Sequence, residues 1–361
     1  MFKFNELKHL HLELSSNCQA SCPMCSRNIH GGVENPLVNG RTWTLDDYKK
    51  IVSVEVLKQI TSIGLCGGLG DPLMANDLLD MLRYSQEHNP DLHIHIHTNG
   101  SLRSKSWWAE LASLGLEHLV VLFAIDGLED THSIYRIGTS YNKIIENAEA
   151  FINAGGNAEW VYLRFKHNEH QVDEAKRIAQ EMGFKSFTMK DTSRFLFEPK
   201  FPVYNKDRET IYNLEPSQHS VMKFIDRKIV NNYKEVVRNS TIHCIAKERK
   251  EVFIDAQGHL YGCCWIGTIP YQSQDEWASL LPIRKDMLDQ HYDMINRFGG
   301  YEGISTLNHS IKDILESEPY QTMWDDYWHK NKMIMCTRAC GINTNLSRPV
   351  DQFTAKEHVN E

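Results

Sequence analysis

Three cysteines stand close together near the start of the chain, in the segment CQASCPMC at residues 18–25. These N-terminal cysteines, Cys18, Cys22 and Cys25, have the spacing C-x3-C-x2-C. A structural zinc site needs four closed ligands, usually as two separated pairs, and no fourth ligand lies nearby. Three thiolates suit a [4Fe–4S] cluster that keeps one iron free to bind a substrate or cofactor. The spacing therefore favours an iron–sulfur centre, with a disulfide or a zinc site as the alternatives.

A second group of cysteines lies in the last third of the chain. We call four of them the C-terminal cysteines: Cys244, Cys263, Cys336 and Cys340. Cys244 and Cys263 have the spacing C-x13-G-x4-C. The segment VFIDAQGHLYGCC at residues 252–264 predicts a β-hairpin with a turn at 256–258, which would bring Cys263 beside Cys244. Four thiolates would ligate a second [4Fe–4S] cluster completely, and a four-cysteine zinc site is the alternative. Because Cys264 adjoins Cys263, the residues leave open which of the two is the ligand.

Composition limits the environment and the partners of the chain. Its 361 residues carry a net charge of −8, which supplies no basic surface for nucleic acid or an anionic membrane. The N-terminus is charged throughout and lacks the apolar core of a signal peptide, and the longest apolar run, residues 119–125, cannot span a bilayer. We therefore predict a cytoplasmic protein whose nine cysteines are thiols available to metals.

The elements that must position the N-terminal cysteines alternate between strands and helices. Strands are predicted to begin near Leu10, Thr61, Leu92, His118, Trp160 and Lys185. Helices are predicted at residues 45–60, 76–87, 104–114, 141–154 and 172–182. Thr44 and Asp47 predict a capping box, and Gly183 predicts a C-terminal cap. Six repeats favour an α/β fold with a partial (β/α)6 TIM-like barrel, whose chemistry gathers where strands end.

Segments that follow the successive strands strengthen the interpretation of the N-terminal cysteines. They are the glycine-rich loop CGGLGDPL at residues 66–73, then HTNGS, then FAIDGLEDTHSIYR. With the cysteine spacing they resemble the radical S-adenosylmethionine (SAM) superfamily over residues 8–192. The resemblance implies SAM contacts at Gly68, Gly70, Asp71, Asn99, Asp126 and Arg136. Ala124 departs from the pattern, since many relatives have a serine there that contacts SAM.

The resemblance implies an activity. In this superfamily three cysteines hold a [4Fe–4S] cluster whose open iron binds SAM, so the N-terminal cysteines are the expected ligands. An electron from the cluster cleaves SAM, and the 5′-deoxyadenosyl radical takes hydrogen from a substrate C–H bond. The C-terminal cysteines resemble the twitch module, the half-length relative of SPASM, which implies an auxiliary [4Fe–4S] cluster and favours Cys263 as the ligand. We expect that cluster to take up an electron, giving net oxidation or cross-linking.

The resemblance also divides the chain and limits its partners. It implies a radical SAM barrel at residues 1–194, a helical linker at 195–243, a small α+β auxiliary-cluster domain at 244–345 and a C-terminal tail at 346–361. We expect a small-molecule or peptide substrate and an external one-electron donor such as flavodoxin or ferredoxin. The barrel begins near residue 8, without room for a leader-peptide-binding domain, which weakens the peptide alternative. A nucleic-acid-modifying radical SAM enzyme and a non-enzymatic zinc-binding interaction protein remain as alternatives.

The substrate-side catalytic residue is not identifiable from the sequence. His93, His95 and His97 share one strand face, and we predict that they face a polar barrel interior rather than bind a metal. Only His97, nearest the strand end, is expected near the active site. Cys66 and Cys264 are expected to be small buried apolar residues, although Cys66 adjoins the glycine-rich loop and substrate chemistry is its alternative role.

Overall fold

A computed structural model describes residues 1–192, 194–195, 199–220, 231–272, 282–342 and 356–358. Its strands are β1 His9–Leu12, β2 Asn28–Ile29, β3 Val33–Glu34, β4 Ser62–Leu65, β5 His93–Thr98, β6 Leu119–Ala124, β7 Asn157–Arg164, β8 Ser186–Asp191, β9 Phe201–Tyr204, β10 Thr210–Leu214, β11 Thr241–Ile242, β12 Glu251–Ile254, β13 Leu260–Tyr261, β14 Gly341–Ile342 and β15 Lys356–His358. Its α-helices are Leu45–Ile51, Val54–Leu57, Leu78–His88, Lys105–Ala112, His132–Tyr135, Tyr141–Asn153, Val172–Met182, Tyr233–Asn239, Ile245–Arg249, Cys264–Gly267, Ile269–Gln272, Pro282–Arg297, Ile311–Glu316, Glu318–Asp325 and Ile334–Cys340.

The central feature is a nine-stranded sheet with the strand order β13-β12-β1-β4-β5-β6-β7-β8-β15. The seven inner strands are parallel, whereas β13 and β15 pair antiparallel at the two edges. The described strands leave the sheet open, so the predicted partial barrel is confirmed. Its six predicted strands are β1, β4, β5, β6, β7 and β8.

Side-chain alternation decides which face of a strand meets the core. In β5, Ile94 and Ile96 are buried in the main hydrophobic core, whereas His95 and His97 line an interior cavity. His11 on β1 lines the same cavity. One face of the parallel sheet therefore packs on apolar side chains while the other presents imidazoles to the barrel interior.

The helices follow the predicted pattern with one correction. The Thr44 side chain accepts the N–H of Asp47 at 3.1 Å, which confirms the capping box, and Gly183 adopts a φ of +89° at its predicted cap. The single helix predicted at residues 45–60 is wrong, because the side chain of Ser53 caps a second helix within that segment. None of the helices in the described parts of the chain has the length and apolar character needed to cross a bilayer.

The C-terminal part of the chain extends the barrel sheet. β12 pairs in parallel with β1, and β13 completes the predicted hairpin. The domain boundary at residue 244 stays a prediction, since the sheet continues across it. Of the predicted tail at 346–361, only Lys356–His358 is described, and as β15 it pairs with β8.

The predicted helical linker also needs a correction. Within residues 195–243, β9 and β10 form an antiparallel hairpin, which the description as a helical linker does not include. The helix Tyr233–Asn239 does lie in this segment, and residues 221–230 lie outside the described residues.

Candidate active site

The N-terminal cysteines lie in the loop that follows β1. All three are free thiols, with Cys22 buried and Cys18 and Cys25 partly exposed. The N–H of Ala20 points at Sγ of Cys18 from 3.4 Å, and the N–H of Cys25 donates to the carbonyl of Cys22 at 3.0 Å. Burial raises the pKa of Cys18 to about 12, and the charges of Asp71, Cys22 and Cys25 contribute to the rise. The three thiols therefore share one small region of the loop.

An arginine connects this loop to the end of β6. Nη1 of Arg136 lies 3.8 Å from Sγ of Cys22, while Nε of Arg136 donates to Asp126 at 2.6 Å. Asp126 is fully buried and also accepts the N–H of Leu163 at 2.6 Å. Burial raises the pKa of the Cys22 thiol, and the charge of Arg136 opposes that rise. A cation beside a thiol favours the thiolate, which is the form that binds metals.

Asp71 and Asn99 join the loops that follow β4 and β5. The Asp71 carboxylate accepts the Thr98 hydroxyl and the backbone and side-chain N–H groups of Asn99 at 2.6 to 3.0 Å. Burial raises the pKa of Asp71, and these hydrogen bonds oppose the rise. Nδ2 of Asn99 also lies 3.6 Å from Sγ of Cys18. Both side chains thus hold loops together at the predicted SAM site, and their contact with SAM stays a prediction.

Gly70 lies in the glycine-rich loop at a point where no side chain fits. A Cβ there would stand 1.9 Å from the carbonyl oxygen of Ser15 and 2.7 Å from that of Asn17. At Gly68 a Cβ would instead meet the methyl group of Thr268 at 2.9 Å. The close approach between this loop and the segment that leads to Cys18 therefore depends on Gly70.

We expect Gly70→Ala to destabilise the protein by about 3 kcal/mol, because the backbone of Ser15 cannot move aside as a flexible side chain would. Urea denaturation of the two proteins measures the loss. Gly64→Ala is the matched control, since its Cβ would lie 4.0 Å from the nearest atom, the carbonyl oxygen of Leu10. Equal unfolding midpoints for the two variants would contradict the steric argument.

A hairpin that the sequence interpretation missed covers the cysteine loop. The ring of His30 stacks on Phe201 and Tyr204 of this hairpin, with centroid distances of 4.5 and 4.4 Å. The guanidinium of Arg194 donates to the carbonyl of Met24 inside the loop. The available signal was the alternation of apolar residues in FPVYNKDRETIYNL, residues 201–214, around a polar turn.

The interior histidines differ from one another. His95 and His97 line the cavity. His93 is exposed at the start of β5 and stacks on His118 with a centroid distance of 4.4 Å, so its predicted interior position is wrong. Burial lowers the pKa of His97 to about 3, and the charge of Lys190 adds to the shift. His97 is therefore neutral near pH 7.

A cavity of about 750 Å³ separates the barrel strands from the C-terminal cysteines. All four C-terminal cysteines line it. The opposite wall comes from the inner faces of β1, β4 and β5, including His11, Gly64 and His97. Burial raises the pKa of Cys336, and the charges of Cys244 and Cys340 add to the rise, as expected for neighbouring thiols.

Cys263 and Cys264 have different neighbours. Burial raises the pKa of Cys263, and the adjacent thiol of Cys264 and then those of Cys336 and Cys244 add to the rise. Burial also raises the pKa of Cys264 to about 12, where the first additional contribution comes from Cys66. Besides its neighbour Cys264, Cys263 therefore interacts with two of the other C-terminal cysteines, whereas Cys264 also interacts with Cys66 after β4.

Both groups of thiols match the implied iron–sulfur clusters in number and in chemistry. Three free thiols lie beside a guanidinium and an amide nitrogen at one site, and four line one cavity at the other. Soft thiolates are the usual ligands of such clusters. Within the described residues, no group of three or more His, Cys, Asp or Glu side chains is arranged to hold a metal ion. The ligand sets therefore remain predictions.

Comparison with protein families defines the class of this protein. The family described as the radical SAM superfamily matches residues 12–182, which run from the end of β1 to the end of the helix Val172–Met182. This part of the chain is a radical SAM domain. The class uses a [4Fe–4S] cluster and cleaves SAM.

Individual relatives resemble the chain over different extents. A tungsten-containing aldehyde ferredoxin oxidoreductase cofactor-modifying protein from Pyrococcus furiosus is 27% identical over 136 residues, which are 37% of this chain. The match spans 34% of that relative's length. Streptococcus suis SuiB bound to the precursor peptide SuiA superposes with a TM-score of 0.56 at 13% identity, covering 96% of this chain and 76% of SuiB. The protein anSMEcpe with bound AdoMet superposes with a TM-score of 0.53 at 15% identity, covering 87% of this chain and 79% of anSMEcpe.

Proposed function

We propose that this enzyme uses SAM cleavage to begin the net oxidation or cross-linking of a small molecule or peptide, with an auxiliary cluster that takes up an electron. In this proposal the N-terminal cysteines ligate the SAM-binding cluster, and the C-terminal cysteines ligate the auxiliary one. The observation that carries the proposal is the shared cavity. The C-terminal cysteines line one side of it, and the inner faces of the barrel strands line the other.

The chain's own residues have defined tasks at the SAM site. When bound, the three-thiolate cluster supplies the electron that splits SAM into methionine and a 5′-deoxyadenosyl radical, which takes a hydrogen atom from the substrate. Arg136 favours the thiolate of Cys22, which it approaches to 3.8 Å. Asp71 and Asn99 keep the neighbouring loops fixed through buried hydrogen bonds. Gly70 allows the glycine-rich loop to approach the cysteine segment.

The C-terminal cysteines suit electron uptake better than substrate binding. Four thiolates fill the coordination of a [4Fe–4S] cluster and leave no iron open to a substrate. The cavity beside them is within the size range of sites for small ligands. A substrate held there would lie between the barrel interior and the electron acceptor, which supports an oxidation.

The substrate class is narrowed by two relatives and by charge. SuiB binds a precursor peptide, and the Pyrococcus furiosus protein is named for modifying a cofactor. Both a peptide side chain and a small molecule fit the proposal, with flavodoxin or ferredoxin as the electron donor. The net charge of −8 argues against a nucleic-acid substrate, because phosphate contacts need a basic surface.

The test is anaerobic reconstitution with iron and sulfide. We expect about eight irons per chain, about four per cluster, and release of 5′-deoxyadenosine after addition of reductant and SAM. Iron is counted by colorimetric assay, and the nucleoside is measured by mass spectrometry. About four irons with normal SAM cleavage would contradict the auxiliary cluster. A colourless protein that contains zinc would favour the zinc-binding alternative, and co-purified RNA would favour nucleic-acid modification.

A further inference from the structure

A buried glutamate holds the glycine-rich loop at the predicted SAM site. Glu13 follows β1 directly and is 2% exposed. Its Oε1 accepts the N–H of Leu69 at 2.6 Å and that of Gly70 at 3.3 Å. The two donors are consecutive backbone groups, so a single carboxylate oxygen fixes the orientation of that turn of the loop.

The same residue reaches the hairpin of the C-terminal part. The backbone N–H of Glu13 donates to the carbonyl of Ile254 on β12 at 2.9 Å, which continues the β1–β12 pairing. The backbone N–H of Ala256 also lies near the Glu13 carboxyl group and acts to lower its pKa. The indole Nε1–H of Trp43 donates to the carbonyl of Ala256 at 2.9 Å. Glu13 therefore contacts the glycine-rich loop and the turn of the β12–β13 hairpin together.

The surroundings of Glu13 make ionisation of its carboxyl group unfavourable. Burial raises its pKa to about 7, and the nearby carboxylate of Asp255 adds to the rise, while the backbone donors oppose it. In the described parts of the chain, Cys66 and Tyr271 also interact with it, and neither is cationic. A buried carboxyl group without a cationic partner reduces stability when it ionises, and such groups often have a functional role.

We infer that the Glu13 carboxylate is a positioning residue for SAM, which acts by holding the backbone of Leu69 and Gly70 in the conformation that receives the ligand. This inference rests on the proposed SAM site at the glycine-rich loop. Glu13 acts through the loop and is not itself proposed to touch SAM. Because its backbone N–H donates to Ile254 and its carboxyl group lies near Ala256, Glu13 connects the SAM site to the hairpin that leads to Cys263.

Two substitutions separate the charge of Glu13 from its capacity to accept hydrogen bonds. Glu13→Ala removes the acceptor, and we expect SAM affinity of the reconstituted protein to fall about tenfold or more, as for a lost hydrogen bond to a charged group. Glu13→Gln keeps a carbonyl acceptor and is expected to retain part of the affinity. Equilibrium dialysis with labelled SAM measures binding, and hydrogen–deuterium exchange of the protein without SAM should be faster at Leu69 and Gly70 in Glu13→Ala.

The pH dependence distinguishes positioning from a purely structural role. A folded-state pKa of about 7, above the usual value of 4.5, means that the contribution of Glu13 to stability is fully present below pH 4.5 and falls as pH rises through about 7. Glu13→Gln should lack this fall, as seen in unfolding midpoints across that range. Conversely, wild-type SAM affinity should weaken as pH drops below about 7, where the carboxylate is protonated, while the affinity of Glu13→Gln stays level across the same range.

The control is Glu251→Gln on β12, whose side chain makes no hydrogen bond to the glycine-rich loop among the described residues. It should leave SAM affinity and loop exchange at wild-type values. If wild-type protein with a full iron count does not bind SAM, the proposed function fails. If wild-type protein binds SAM and both Glu13 variants bind it equally well with the same pH profile, the positioning role is wrong.

Discussion

Replacing Cys18, Cys22 and Cys25 together with alanine is expected to lower the iron content by about four per chain and to abolish release of 5′-deoxyadenosine. The reason is that a cubane needs three thiolate ligands at this site. Arg136 and Asn99 approach the sulfur atoms through nitrogen, so neither can replace a lost thiolate as a ligand. Iron assay and mass spectrometry of the nucleoside measure the two effects.

The control for this variant is Cys66→Ala, which removes a cysteine at the end of β4 that belongs to neither group. It should keep the full iron content. The remaining iron in the triple variant should stay with the C-terminal cysteines, whose cavity is formed by other segments of the chain. SAM cleavage that survives loss of the N-terminal cysteines would place the reactive cluster elsewhere and overturn the assignment.

The barrel was accessible from sequence because its signals are local. Each of the six strands is a short apolar or alternating run, and the side chains of Thr44 and Ser104 cap the helices that begin at residues 45 and 105. The error at residues 45–60 has the same local origin. The apolar spacing continues through Ser53. The side chain of Ser53, however, accepts the backbone N–H of Val56 and so caps the start of a second helix.

The pairing of strands that are distant in the sequence could not be predicted in the same way. The two strands β12 and β1 are separated by more than two hundred residues, and nothing in either segment specifies the other as its partner. The hairpin was therefore predicted as part of a separate small domain, although it extends the barrel sheet. The packing of residues 201–214 on His30 could not be predicted for the same reason, because it depends on a contact between segments far apart in the sequence.

The motif residues were found by type and spacing, whereas their supporting residues were not. Gly70 and Asp71 are recognisable because a glycine-rich loop after a strand has a known pattern. Glu13 lies in an ordinary strand-end sequence, and its importance depends on the N–H groups of Leu69 and Gly70, which come more than fifty residues later. A charged residue directly after an apolar strand in a parallel sheet was the only available signal, since such positions are usually buried.

Cys263→Ala and Cys264→Ala are expected to differ sharply although the residues are adjacent. Cys263→Ala should lose about four irons per chain, because a four-thiolate cluster with three remaining ligands is not retained. Cys264→Ala should keep the full iron content, since its thiol interacts with Cys66 and Glu251 on the barrel side. In both variants the N-terminal cysteines are intact, so SAM cleavage should continue.

The two variants also separate SAM cleavage from substrate oxidation. Without the auxiliary cluster the electron left on the substrate has no acceptor, so Cys263→Ala should release 5′-deoxyadenosine without forming oxidised product. Cys264→Ala serves as the matched control for volume and position, because it removes the same atoms one residue away and both thiols line the same cavity. Loss of iron in Cys264→Ala with retention in Cys263→Ala would reverse the ligand assignment. Loss in neither variant would mean that neither thiol alone is required to hold the cluster, which would contradict the assignment of Cys263 as an essential ligand.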